Sequence, residues 1–97
     1  MAYDPGAIEA TLAAAVGDDP ALIVELRIAF VESAAAALTG LDLAAGPEAW
    51  VAAAGRLKGL AASFGAVRLM ALASEAVKAG APDPQLLGRI RRMVARL

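Results

Sequence analysis

Apolar residues recur along this chain at the three-to-four-residue spacing of helices buried on one side. Ile8, Leu12, Ala15 and Val16 share a stripe and predict a short helix over 5–16. Trp50, Ala53, Ala54, Leu57, Ala61 and Phe64 do the same for a helix over 47–63. Leu69, Leu72 and Ala76 set the inward face of a helix over 66–79. Leu87, Ile90, Val94 and Leu97 set that of a last helix over 84–96, whose arginines fall largely outside. The segment 20–39 carries two stripes: Ile23, Leu26, Phe30 and Ala37 form one, and Val24, Ile28, Val31, Ala35 and Leu38 the other. A surface helix needs only one. The second points either to a central helix touching several neighbours or to a face that awaits a partner. No strand-like alternation competes.

Local chemistry marks where these helices begin and end. Asp4-Pro5, Asp19-Pro20 and Asp83-Pro84 each pair a carboxylate that can accept from free N–H groups with a proline suited to the first helical position. Gly46-Pro47-Glu48 is a fourth start. Gly17, Gly40, Gly46 and Gly80 fall near predicted helix ends, where a left-handed backbone is often needed.

Composition narrows the picture. The 97 residues suffice for one small domain. The chain is 60% hydrophobic but only 4% aromatic, and much of the apolar content is alanine. Alanine favours helix and buries little area, so the core must be closely packed helices. Mean hydropathy is +0.63, yet uncharged runs such as 33–41 reach only nine residues. A spanning helix needs about 20 apolar residues, so no transmembrane segment is expected. MAYDPGAIEA shows no basic stretch followed by an apolar run, so no signal peptide is expected. Cysteine is absent, which excludes disulfides. A cytoplasmic protein is the default expectation. Net charge is −1, but residues 1–50 hold eight acidic side chains and one basic, and residues 51–97 eight basic and two acidic. Either the halves complement each other, or the second offers a basic surface to an acidic partner.

The stretch 52–66, AAAGRLKGLAASFGA, adds a puzzle. Opposite its core stripe lie Ala52, Gly55, Lys58, Gly59 and Ala62. Glycine inside a helix costs about 1 kcal/mol relative to alanine, and here two stand four residues apart. Such a face lets another backbone or a bulky partner approach closely.

Gly55-Arg56-Leu57-Lys58-Gly59, followed by Ser63-Phe64-Gly65-Ala66, resembles the signature of the histidine phosphotransfer (HPt) domains of bacterial phosphorelays. That signature is a histidine, any residue and Leu-Lys-Gly, then a small-Gly-Ala turn into the next helix. The resemblance covers nearly the whole chain. Asp18-Asp19-Pro20-Ala21-Leu22 with Phe30-Val31-Glu32 is similar to the family's second helix. Trp50 sits where an aromatic residue often precedes the motif, and Leu69, Leu72 and Glu75 match its fourth helix. One departure is decisive for chemistry. Gly55 occupies the position of the phosphorylated histidine, and the chain has no histidine or cysteine. The nearest hydroxyl, Ser63, belongs two turns away. The ordinary phosphorelay reaction is therefore excluded for this sequence.

The resemblance implies that a small residue at Gly59 keeps the site open to an incoming receiver domain, and that Lys58 favours negative charge beside it. It implies docking over the 20–39 and 47–63 helices, by Val24, Ile28, Val31, Ala52, Gly55, Arg56, Lys58, Gly59 and Ala62. The expected partner is a response-regulator receiver domain or a histidine kinase, and no residue is assigned a catalytic role. The expected fold is all-α, with chain 1–97 as one domain. Its last four helices would form an up-down-up-down antiparallel four-helix bundle, and the short N-terminal helix would pack across one end. The alternatives are an inactive His-to-Gly variant of an active phosphotransfer protein, or a homodimerisation module built on the 20–39 helix.

Other chemistry has little support. Without His or Cys only scattered carboxylates could hold a metal, so no metal site or cofactor is expected. Gly59–Gly65 lacks the Gly-Lys-Ser/Thr of a phosphate loop. Glu48 and Glu75 have nothing to bring them to one pocket. Arg89, Arg91, Arg92 and Arg96 on the last helix could meet membranes or nucleic acid, but the plainer reading is solvent and acidic neighbours. No aromatic residue accompanies them for base stacking, so neither a nucleic-acid nor a membrane partner is expected.

Overall fold

Two of the Asp-Pro pairs open helices in the computed structural model, which describes residues 8, 10–12, 14, 17 and 19–97. Asp19 begins α1 (Pro20–Leu43), its Oδ1 accepting the backbone N–H of Ala21 at 3.1 Å and of Leu22 at 3.2 Å. Asp83 begins α4 (Pro84–Val94) the same way, accepting from Gln85 and Leu86, both at 3.1 Å. Each such cap contributes about 1 kcal/mol. Between them lie α2 (Pro47–Ser63), entered through an extended Gly46, and α3 (Val67–Ala79). Gly65 (φ 72°) and Gly80 (φ 71°) supply the left-handed backbone that turns the chain out of α2 and α3. Ile8, Ala10, Thr11, Leu12 and Ala14 are also helical. Asp4-Pro5, Ala15 and Val16 lie outside the described residues, which contain no strand.

Two boundaries differ from expectation. The last helix stops at Val94 rather than 96, and α1 runs past 39 to Leu43. Gly40 is therefore inside a helix, not a helix-ending residue. The fully buried Leu41 anchors the final turn of α1. A Cβ on Gly40 would stand 3.3 Å from the Ala53 Cβ and 3.4 Å from Arg56 Nη2, so glycine there admits α2 at close range.

Each helix packs against two others: α1 on α2 and α4, and α3 on α2 and α4. Ile8, Leu12, Phe30, Leu41, Trp50, Leu57, Leu69 and Ile90 supply the large core side chains. Eight alanines (34, 37, 53, 54, 61, 66, 73 and 76) fill the places between. Trp50 Nε1–H donates to the Ala76 carbonyl at 2.8 Å, tying α2 to α3 inside the core. The rings of Phe30 and Phe64 stack with centroids 4.9 Å apart. The two stripes of α1 meet different fates. Phe30 and Ala37 are buried and Ile23 and Leu26 half-buried, whereas Val24 and Ile28 are 56% and 52% exposed.

The charge asymmetry is partly answered within the fold. Arg91 on α4 reaches Asp42 on α1 at 2.7 Å, and Arg89 reaches Glu75 on α3 at 3.5 Å. All four side chains are about half exposed, so each pair contributes no more than about 1 kcal/mol. Among the described residues, no helix is long and apolar enough to cross a membrane.

Candidate functional site

The outward face of α2 is built by what its core face uses up. Trp50, Ala53, Ala54, Leu57 and Ala61 turn inward and are buried, which leaves Ala52, Gly55, Gly59 and Ala62 exposed on the opposite side. A Cβ placed on Gly55 or on Gly59 meets nothing within 4 Å. Neither glycine is therefore needed for helix packing, in contrast to Gly40. Together they forgo about 2 kcal/mol of helix stability relative to alanine.

This contrast is measurable. Gly55→Ala and Gly59→Ala are each expected to raise the free energy of unfolding by about 0.5–1 kcal/mol. Gly40→Ala is expected to gain less than either, because its Cβ would crowd the Ala53 Cβ at 3.3 Å and offset the gain in helix propensity. Urea unfolding followed by circular dichroism separates the cases.

The glycines open onto a groove of ≈ 540 Å³ between α1 and α2. Ser33, Ala36 and Ala37 form the α1 wall, and Gly55, Arg56, Gly59, Leu60 and Ser63 the α2 wall. Arg56 leans back over Gly40. The Ser63 hydroxyl donates to the Gly59 carbonyl at 3.0 Å, which commits its proton to the helix backbone. The lining thus offers two hydroxyls, one guanidinium, several methyl-sized side chains and no carboxylate. Such a surface suits the close approach of another chain, with a positive charge at its edge.

The predicted docking residues do not all meet here. Gly55, Arg56 and Gly59 line the groove, with Ala52 and Ala62 on the same exposed helix face. Lys58 is exposed but stands outside the lining. Val31 is half-buried against the core. Val24 and Ile28 project from α1 roughly 80–180° around its axis from Ser33 and Ala36, at 100° per residue, so they form a separate flank. The sequence pattern did not mark Ser33 and Ala36, and marked Ala37 only as part of a core stripe. The run Ser33–Ala37, an unbroken stretch of small side chains on α1, was the available signal.

Elsewhere among the described residues, no three carboxylates gather as a metal site would require. Glu75 faces Arg89, while Glu48 lies exposed in the first turn of α2. The chain matches no protein-family model, no curated protein and no solved structure.

Proposed function

We propose that this chain is a non-catalytic HPt-like module that docks response-regulator receiver domains in the groove over Gly55 and Gly59. The observation that carries the reading is the open space above both glycines. Bare backbone is kept on an outward helix face where the fold does not require it. The Leu-Lys-Gly and Gly-Ala sequence around it supports the family reading. Arg56 and Lys58 flank Gly55 and would meet the carboxylates around a receiver's phosphorylation site. With glycine at position 55 no phosphoryl group is accepted, so docking would sequester the receiver or hold it in a complex. On this reading the four helices run up-down-up-down as an antiparallel bundle in one cytoplasmic domain. Links of three, three and four residues and the pairwise packing of neighbours support that order.

Titration of the isotope-labelled chain with receiver domains from the same organism tests this. Amide shifts are expected on Ser33–Ala37 and Ala52–Ser63. Absence of shifts with every receiver sinks the reading. A second result is expected from Gly55→His, whose imidazole would enter open space. A phosphorylated receiver should then transfer its group: the P–N bond forms, the acyl P–O bond breaks, and the aspartate carboxylate leaves. The unaltered chain should gain no label. Binding without transfer to the variant would mean that the groove is not aligned as in HPt domains.

The exposed Val24 and Ile28 favour a second reading, a homodimer through that flank of α1. Light scattering that shows a strict monomer at millimolar concentration removes it.

A further inference from the structure

A concentration of unbalanced positive charge lies away from the glycine groove, between α3 and α4. A cleft of ≈ 440 Å³ there is lined by Arg68, Arg89, Arg92 and Arg96, with Glu75 as the one carboxylate. It shares no residue with the α1–α2 groove. Glu75 engages Arg89 at 3.5 Å. Seven residues away from that contact along each segment, in opposite chain directions, Arg68 and Arg96 line the same cleft. That is about 10 Å of helix. Among the described residues, Arg68, Arg92 and Arg96 form no ion pair. Arg68 also stands in the first turn of α3, whose N-terminus has no side-chain cap. The free N–H groups there add positive potential at the same end.

Three further observations select the ligand. The floor is Ala71, Leu72 and Met93, with no aromatic ring to stack on a base. The apolar side of α4 (Leu86, Ile90, Met93 and Val94) is committed to the core, so the helix cannot turn it toward a bilayer. The site is a recess of small-ligand size rather than a convex ridge. Several guanidinium groups around such a recess match a short chain of phosphates, which offers many acceptor oxygens and multiple negative charges.

We propose that the α3–α4 cleft binds an oligophosphate group, either a free short polyphosphate or the phosphate chain of a nucleotide, through Arg68, Arg92 and Arg96. Arg89 is held at the far end by Glu75. The site is independent of receiver docking, and either can fail without the other.

The test is titration of the labelled full chain with tripolyphosphate and, separately, ATP, against sulfate at equal ionic strength. Saturable shifts are expected on Arg68–Glu75 and Arg89–Arg96 with both phosphates and not with sulfate. Arg92→Gln with Arg96→Gln should weaken binding at least tenfold. Glu75→Gln, which frees Arg89, should strengthen it severalfold. Circular dichroism confirms that these exposed substitutions leave the fold intact. Equal affinity for both ligands identifies the phosphate chain alone as what is recognised, and a tenfold preference for ATP identifies a nucleotide as its source. No saturable shift overturns the proposal, as does insensitivity to the arginine pair. Tighter binding at the same residues by polyglutamate, RNA or anionic vesicles also overturns it.

Discussion

Trp50→Ala is expected to remove about 4 kcal/mol of stability, the cost typical of deleting a fully buried large aromatic side chain. A domain of this size has about 5–15 kcal/mol in total, so the variant should keep only about 1–11 kcal/mol and melt well below the parent. Two losses combine. The indole is fully buried, and five of the nine buried residues of α2 and α3 are alanines, which cannot reach into a void. Its Nε1–H also satisfies the Ala76 carbonyl inside the core. Trp50→Phe separates the two, since it keeps most of the volume and removes the donor. The Ala76 carbonyl also accepts from the Gly80 N–H at 3.3 Å, so it is not orphaned. The phenylalanine variant should therefore lose only about 1–2 kcal/mol. Urea unfolding followed by circular dichroism reads both; equal losses in the two variants would assign the whole effect to the hydrogen bond.

Gly59→Arg is expected to move stability and binding in opposite directions. Arginine forms helix better than glycine by about 0.8 kcal/mol, and its Cβ enters open space, so the chain should become harder to unfold. The same side chain would stand in the groove beside Arg56, filling it with bulk and a second positive charge. On the proposed reading, receiver affinity should fall at least tenfold, or about 1.4 kcal/mol. Isothermal calorimetry and urea unfolding of one preparation give both numbers. A variant that is more stable and binds as well as the parent would show that the partner does not use this groove.

The helices were legible because their signals are local. Asp-Pro at 19–20 and 83–84 announces a cap, and Trp50 to Ala61 repeats at helical spacing. Gly40 was not legible, because its role depends on where Ala53 and Arg56 arrive from another helix. The same limit applies to the site. The outward position of Gly55 and Gly59 follows from periodicity alone. The α1 wall of Ser33, Ala36 and Ala37 depends on which side of α1 meets α2. Likewise, Arg89, Arg92 and Arg96 share a face by spacing, but Arg68 joins them only through the packing of α3 against α4.

The alanine-rich core also has a calorimetric consequence. The heat capacity of unfolding grows with the apolar area newly wetted, at about 0.45 cal/K/mol per Å². Eight of the buried apolar side chains named here are single methyl groups. They expose little such area when the helices separate, while the peptide groups beside them contribute with the opposite sign. The heat capacity of unfolding should thus sit at or below the lower end of the usual range, about 12 cal/mol/K per residue. The stability curve is correspondingly flat, and the folded state loses little on cooling toward 0 °C.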